Sequence, residues 1–125
     1  TSDQASSSDQ ATMKAGAQIY ADECSGCHTP DGKGVAGLFP SLHGTPFVQQ
    51  TDPANLIHVV LRGGLGVATK AAPTAPEMPA FGWVLNDDEI AALLSYVRNS
   101  WGNAAPAVSA GEIGKQRAAL AERND

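Results

Sequence analysis

The sequence predicts a small all-α domain in which helices are separated by long irregular loops. Apolar residues recur at helical spacing near both ends of the chain, and a shorter stretch between them shows the same spacing. The connecting stretches are rich in residues that interrupt helices, since the 125 residues include 13 glycines and 8 prolines. A chain of this length suits one compact domain with tails.

Composition excludes several classes of function. The formal net charge is −5, which makes nucleic acid an unexpected partner because phosphate binding requires clustered Lys and Arg. No apolar run approaches the roughly 20 residues that a membrane-spanning helix needs. The chain begins at Thr1 with neither a Met nor a basic and apolar leader, so we interpret it as a mature product or part of something longer.

The first predicted helix follows a polar tail. Residues 1–11 contain almost nothing that could pack, and we expect a disordered linker or tail there. A helix is predicted from about Thr12 to Glu23 because its apolar and small residues share one face. These residues are Met13, Gly16, Ala17, Tyr20 and Cys24. Residues 29–50 contain three prolines and are predicted to be loop.

A short helix is predicted in the middle of the chain. Asp52 followed by Pro53 is typical of a helix start, with proline at the first helical position. Its inward residues are Leu56, Ile57, Val60 and Leu61. Gly63 and Gly64 should end it, and a second loop is predicted from there to about Leu85.

The clearest helix begins after Asn86. Asn86 and Glu89 have the spacing of a capping box. The apolar stripe consists of Ile90, Leu93, Leu94, Val97 and Trp101. Gly102 stands where a C-terminal cap is expected. We therefore expect one folded domain over residues 12–103, and a C-terminal extension over 104–125. A weak helix begun by Ser109 with Glu112 is expected there, as a docking arm and not as part of the core.

The pattern Cys24-Ser25-Gly26-Cys27-His28 carries the chemistry. Two thiols at this spacing can add across the two vinyl groups of one haem, and the adjacent His is then held where its imidazole reaches the iron. Both cysteines of the chain lie in this pattern. The sequence therefore predicts one covalently attached haem with His28 as an axial ligand.

Three other interpretations of this pattern were weighed. A disulfide would close a very short loop and contribute little to stability. A thioredoxin-like redox pair requires a βαβ setting that the sequence does not show. A zinc site needs a fourth ligand beyond the motif, for which His43 and His58 are the remaining imidazoles.

The residues alone leave four candidates for the sixth iron ligand. These are Met78, Met13, His43 and His58. Met78 precedes Pro79 in the second loop, where a rigid backbone can hold the thioether over the far face of the ring. Met13 lies about three helical turns before Cys24 and suits packing. Either histidine would give a bis-His site.

The chain resembles the class I, mitochondrial-type cytochromes c. The resemblance rests on YADECSGCH (residues 20–28), GKGVAGLFPSLHG (32–44) and MPAFGWVLNDDEIAALLSYVRNSWGN (78–103). It is greatest to single-haem domains of the cytochrome subunits of bacterial membrane-bound alcohol, aldehyde and gluconate dehydrogenases. The resemblance implies that the first and last helices of the domain cross at right angles beside the haem, with Gly16 and Tyr20 against the face of Leu93, Leu94 and Val97.

The resemblance also implies roles for two loop residues. Met78 corresponds to the sixth ligand, and Pro40 corresponds to the proline whose carbonyl accepts the ring N–H of the proximal His. The resulting site residues are Cys24, Cys27, His28, Met78 and Pro40, with His28 and Met78 on the metal. The family expectation is a periplasmic module, free or attached to the inner membrane through a complex.

The function expected is outer-sphere electron transfer by haem c. A dehydrogenase would be the donor, and a quinone, another cytochrome or an oxidase would be the acceptor. The alternative is a peroxidase-like or gas-binding haem, which requires a labile sixth ligand and polar groups beside it. A third interpretation is a structural module that anchors a catalytic subunit through its tails.

Overall fold

A computed structural model describes residues 2–36, 38–65 and 77–123 of the chain. In chain order the helices of these ranges are α1 (Ser2–Glu23), α2 (Ser25–His28), α3 (Ala54–Arg62), α4 (Asp87–Arg98) and α5 (Ala110–Arg123). Two short strands, β1 (Gly64–Leu65) and β2 (Glu77–Met78), pair antiparallel with Gly64 opposite Met78. The predicted all-α class is confirmed. The middle of the second predicted loop, residues 66–76, lies outside the described residues.

Helices α1 and α4 pack directly against each other, and Gly16 is the closest point between them. A Cβ on Gly16 would lie 2.2 Å from the carbonyl oxygen of Ala92 and 2.6 Å from Cβ of Tyr96. The absence of a side chain therefore permits the approach, as predicted. The contact falls on Ala92 and Tyr96, one helical position away from the predicted partners.

Helix α1 begins ten residues earlier than predicted. The sequence predicts a disordered tail over residues 1–11, whereas α1 already starts at Ser2; Thr1 lies outside the described residues. The stretch from Ser2 to Ala15 contains no Gly or Pro, and its residue types each cost at most about 0.7 kcal/mol relative to Ala in a helix. Helix propagation from the packed part of α1 is therefore inexpensive.

The short helix α3 has the predicted apolar face, with Leu56, Ile57, Val60 and Leu61 all buried. It begins at Ala54, one residue after Pro53, and a carboxylate oxygen of Asp52 accepts a hydrogen bond from the Ala54 N–H at 3.0 Å. It ends at Arg62, and Gly63 follows with a φ of +72°.

Helix α4 has the predicted capping box at its start. Asn86 accepts from the Glu89 N–H and the Glu89 carboxylate accepts from the Asn86 N–H, each at 2.8 Å. The helix ends at Arg98, earlier than the predicted stripe, and the backbone turns through positive φ at Trp101 and Gly102. Trp101 thus leaves the helix and packs on Tyr20, with ring centroids 5.1 Å apart.

The C-terminal extension is part of the core, which corrects the prediction of a docking arm. Ser109 and Glu112 do begin helix α5, since the Glu112 N–H donates to the Ser109 hydroxyl at 3.1 Å. However, Val108, Ile113 and Leu120 are buried in the same hydrophobic cluster as α3 and α4. Residues 124–125 lie outside the described residues. The domain division at residue 103 remains a prediction.

Two polar side chains fasten the loop after residue 41 to α4. The buried Arg98 donates through Nε to the Val48 carbonyl at 3.1 Å and through Nη2 to the Gln50 carbonyl. Asn103 donates to the Leu42 carbonyl at 2.8 Å and accepts from the Gly44 N–H at 2.7 Å. These bonds satisfy backbone groups that a buried loop would otherwise leave unpaired.

Candidate haem-binding site

A deep apolar cleft lies between α1, α3, α4 and the two loops. Its cavity volume is about 280 Å³, at the lower end of the size range of small-molecule and cofactor pockets (~300–1,000 Å³). Its lining is almost entirely apolar, and His28 is the imidazole among the lining residues. The lining residues are Tyr20, Cys24, His28, Pro40, Ser41, Leu42, Thr45, Phe47, Val48, Leu56, Val59, Val60, Met78, Leu93, Leu94 and Val97.

The ring of His28 is held in one orientation by the loop opposite. Its Nδ1 lies 2.9 Å from the carbonyl oxygen of Pro40. Because a carbonyl only accepts, Nδ1 must carry the proton, and Nε2 is left with a free lone pair. The predicted contact between Pro40 and His28 is therefore present in the structure. It makes the imidazole a better donor to a metal.

The backbone directly after His28 is strained and locked in place. Thr29 has a φ of +68°, which is rare for a β-branched residue. Three hydrogen bonds fix it: the Tyr20 hydroxyl donates to its carbonyl at 2.6 Å, its N–H donates to the Ser25 carbonyl at 2.9 Å, and its hydroxyl donates to Asp31 at 2.6 Å. Strain of this kind persists where surrounding contacts determine the conformation.

Gly34 lets the Pro40 carbonyl reach His28. Its φ is +68°, and a Cβ there would lie 2.3 Å from the Phe39 carbonyl oxygen and 2.7 Å from the Pro40 carbonyl oxygen. The Gly34 N–H also donates to the His28 carbonyl at 2.9 Å. The backbone of Gly34 therefore lies between the His28 carbonyl and the carbonyls of Phe39 and Pro40, where a side chain would collide.

The two cysteines differ in environment. Cys24 is buried and lines the cleft, whereas Cys27 is exposed and does not line it. Burial, with smaller contributions from Glu23 and Cys27, raises the pKa of the Cys24 thiol to about 12. Among the described residues the motif follows helix α1 and not a strand, so the βαβ setting of a thioredoxin-like pair is absent there. Both thiols are free, which leaves no disulfide at this position.

Met78 faces the same cleft as His28. It lies in β2, half-buried, and Gly63 admits its backbone, because a Cβ on Gly63 would lie 2.3 Å from the Met78 carbonyl oxygen. None of the other three candidate ligands lines the cleft. His43 is exposed, His58 bonds Gln116 at 2.6 Å, and Met13 lines a separate cleft.

The residues present fit a haem. An apolar slot contains an imidazole with a free Nε2, a thioether and a thiol, which are the donors and the attachment group that haem c uses. Within the described residues, no group of three or more His, Cys, Asp or Glu side chains is arranged to hold a metal ion by itself. The zinc interpretation of the motif therefore has no additional ligands in that part of the chain.

Exposed apolar side chains lie on the loops that form the cleft. Phe47 lines the cleft and is 41 % exposed, while Val35 and Leu38, on the loop that carries Pro40, are 41 % and 49 % exposed. Trp83, five residues after Met78, is 86 % exposed. Phe47 thus exposes an apolar ring at the cleft, and Val35 and Leu38 expose apolar side chains on the loop that carries Pro40.

The sequence did not reveal which residues orient the His28 ring. The Tyr20 hydroxyl, Thr29 and Gly34 orient His28, and only the glycine-rich pattern around Gly34 offered a signal in the sequence. Arg117 was also missed. It lies far along the chain and bonds the loop that follows Met78, a long-range contact that no local pattern encodes.

The chain matches the family model described as Cytochrome c over residues 13–101. Together with the helical fold and the apolar cleft, this match defines the class of protein: the chain belongs to the cytochrome c family. It is a single-haem electron-transfer module that carries haem c.

Several known proteins are similar to it. It is 43 % identical over 104 residues to the gluconate 2-dehydrogenase cytochrome c subunit of Pantoea cypripedii, and 45 % identical over 104 residues to the alcohol dehydrogenase (quinone) cytochrome c subunit of Gluconobacter oxydans. Each match covers 82 % of this chain but only 24 % and 22 % of the respective relative. Cytochrome c-552 of Thermus thermophilus is 38 % identical over 93 residues, covering 71 % of this chain and 70 % of that protein.

Proposed function

We propose that this chain transfers electrons from a dehydrogenase to a respiratory acceptor through a haem whose iron is bound by His28 and Met78. Cys24 and Cys27 would attach the haem through thioether bonds. The observation that carries the proposal is the joint placement of His28 and Met78 around one apolar cleft, with the His28 ring fixed by the Pro40 carbonyl.

The residues of the chain would each do a specific task. Bound haem supplies reversible one-electron chemistry, with a potential that a thioether ligand raises. His28 keeps its Nδ1 proton on Pro40 and presents Nε2, and Met78 presents sulfur from the other loop. The apolar walls from α3 and α4 exclude water, which keeps the reorganisation that accompanies electron transfer small.

A carrier fits the cleft better than a peroxidase or gas-binding site does. Those activities need an open sixth position with polar catalytic groups beside it. Among the described residues that line the cleft, none is Arg, Lys, Asp or Glu, and the polar side chains are His28, Ser41, Thr45 and Tyr20. We therefore propose that the chain is not itself an enzyme, although it can belong to a dehydrogenase complex.

The partners follow from the relatives. Two of them are named as cytochrome c subunits of gluconate and quinone-dependent alcohol dehydrogenases, and this chain spans about a quarter of their length. We propose a dehydrogenase subunit or domain as donor, and a quinone, another cytochrome or an oxidase as acceptor. No helix in the described ranges is long and apolar enough to cross a membrane. A periplasmic location, free or on an inner-membrane complex, is proposed with these partners.

Ligation is tested by spectroscopy of the haem-loaded protein. Met78→Ala should abolish the long-wavelength absorption of a thioether-bound ferric haem, lower the potential and let carbon monoxide bind the reduced iron. Met13→Ala is the matched control, because Met13 lies in a separate cleft, and it should change none of these. A low-spin spectrum lost in His58→Ala but kept in Met78→Ala would overturn the assignment.

Attachment is tested separately. Denaturation in acid should leave one haem on the polypeptide, seen as a mass one haem above that of the apoprotein. Release of free haem would show that Cys24 and Cys27 do not attach it.

A further inference from the structure

Helix α5 reaches across to the loop that carries Met78, and Arg117 makes the contact. Its Nη1 donates to the Gly82 carbonyl, its Nη2 donates to the Leu85 carbonyl at 3.2 Å, and its Nε lies 2.9 Å from Asp87. One guanidinium therefore spans the segment between the Met78 loop and the start of α4. The planar fork of arginine suits several fixed acceptors at once.

The same segment is held from the other side by the end of α3. The Phe81 N–H donates to the Val60 carbonyl at 2.8 Å and the Gly82 N–H donates to the Leu61 carbonyl at 3.1 Å. A Cβ on Gly82 would lie 2.7 Å from that Leu61 carbonyl oxygen. Residues 81–85, which begin three residues beyond Met78, are thus held between α3 and α5.

The Asp87 carboxylate contributes little to holding residues 81–85 in place. The side chains of Arg117 and Asp87 are 36 % and 39 % exposed, so solvent and salt screen their attraction. The bonds to the Gly82 and Leu85 carbonyls join a charged donor to backbone that cannot move without displacing the loop. Charge-assisted bonds of this kind are stronger than neutral ones.

We propose that Arg117 is a positioning residue for Met78, so that the C-terminal helix α5 sets how easily the Met78 sulfur leaves the iron. The proposal rests on the ligation proposed above. When the loop opens, a competing ligand can enter, and the apparent affinity for that ligand is the intrinsic affinity multiplied by the open fraction. Arg117 keeps the open fraction small.

The test is binding of imidazole to the oxidised, haem-loaded full chain. Arg117→Gln should tighten apparent imidazole binding about three- to tenfold, because a neutral amide replaces the charge-assisted bonds by weaker ones and the open fraction rises by that order. The thioether–ferric absorption should weaken in the same variant. Arg117→Lys keeps the charge but loses the fork, so it should show most of the effect and serves as a second variant if Arg117→Gln folds poorly.

Two matched controls separate positioning from general stability. Lys115→Gln removes a neighbouring exposed charge from α5 and should leave imidazole binding unchanged. Gln116→Ala removes the hydrogen bond from α5 to the His58 side chain and leaves the Arg117 bonds to the Gly82 and Leu85 carbonyls in place, so it should change imidazole binding by less than about twofold. If Gln116→Ala tightened binding as much as Arg117→Gln, or if both Arg117 variants bound like the parent, the proposal would be overturned.

Failure of the ligation proposal itself would look different. If Met78→Ala left the thioether–ferric absorption and imidazole binding of the parent unchanged, then Met78 would not be the ligand. A parent with a Met78-dependent absorption and Arg117 variants identical to it would instead reject only the role of Arg117.

Discussion

The orientation of His28 depends on two backbone positions in a conformation that side chains rarely adopt. Thr29 and Gly34 both have positive φ, and the Pro40 carbonyl that accepts a hydrogen bond from the His28 ring lies against Gly34. The ligand geometry is therefore set by the loop conformation as much as by the identity of the histidine.

Replacing Gly34 by Ala should damage both stability and the haem spectrum. The new Cβ pays about 1–2 kcal/mol for a left-handed backbone and also collides with the Phe39 and Pro40 carbonyls, so we expect a total loss of about 2–4 kcal/mol. Gly44→Ala is the matched control, since Gly44 has a φ of +71° with nothing within 4 Å. Chemical denaturation and the potential of the loaded protein measure the difference, and equal losses in both variants would contradict the explanation.

The Tyr20 hydroxyl should make stability fall in alkaline solution. Burial, helped by nearby Cys24, Tyr96 and Asp31, raises its pKa well above the ordinary value of 10.0. The folded state thus holds the proton more tightly than the unfolded state, and its contribution is complete below pH 10 and is lost as the pH rises further.

Tyr20→Phe should therefore be less stable near neutral pH by about 1–2 kcal/mol, because the Thr29 carbonyl loses its donor. Its stability should also depend less on pH above pH 10. Tyr96→Phe keeps the Tyr20 hydroxyl and should retain the alkaline loss. Unfolding curves at several pH values decide between these outcomes, and an identical alkaline slope in Tyr20→Phe would contradict the assignment.

At the scale of elements, α5 is the helix whose role changes most between sequence and structure. Its apolar residues are few, and from the sequence alone they resemble those of a peripheral arm. In the folded chain Ile113 is fully buried and Leu120 nearly so, against α3 and α4.

Removal of residues 107–125 should accordingly destabilise the domain. The buried side chains of Val108, Ile113 and Leu120 each contribute about 1.5–3 kcal/mol, so a loss of at least ~4.5 kcal/mol is expected. Removal of residues 1–11 is the comparison. That segment offers only alanines as apolar residues, and its loss should leave the thermal midpoint nearly unchanged. Equal thermal midpoints for the two truncated proteins would instead support the prediction that α5 is a docking arm.

The sequence was sufficient for features that are local. The α4 capping box at Asn86 and Glu89 and the start of α5 at Ser109 follow from neighbouring residues, and they were predicted correctly. The close approach at Gly16 was implied by the family resemblance. Burial of α5, the clamp by Arg117 and the early end of α4 before Trp101 depend on partners distant in the chain. Local patterns do not encode such contacts, so sequence reasoning missed them.

At the scale of the whole molecule, the chain is acidic, but its cleft loops expose apolar side chains. The chain carries a net charge of −5, yet the exposed residues on the cleft loops include Val35, Leu38 and Phe47. We expect a partner to bind this surface mainly by burying apolar area. Long-range attraction between charges should then contribute little to the rate of association.

Reduction by a cognate dehydrogenase should therefore fall only modestly between low and physiological salt. Ala36→Asp or Val35→Asp should slow the reduction without changing the spectrum, because each places a charge on the apolar surface. Ala118→Asp, on the exposed face of α5, is the matched control and should have little effect. A steep salt dependence, or equal rates in all three variants, would place the docking surface elsewhere.

The contact at Gly16 also determines where the attachment motif sits. Cys24 follows Gly16 by eight residues, a distance of about 12 Å along a helix at 1.5 Å per residue. If α1 slid by one residue, Ala15 or Ala17 would have to enter a space where a Cβ meets the Ala92 carbonyl at 2.2 Å. Only one alignment of α1 on α4 is therefore open to the chain. Gly16, which touches no cofactor, therefore fixes the position of Cys24 relative to α4.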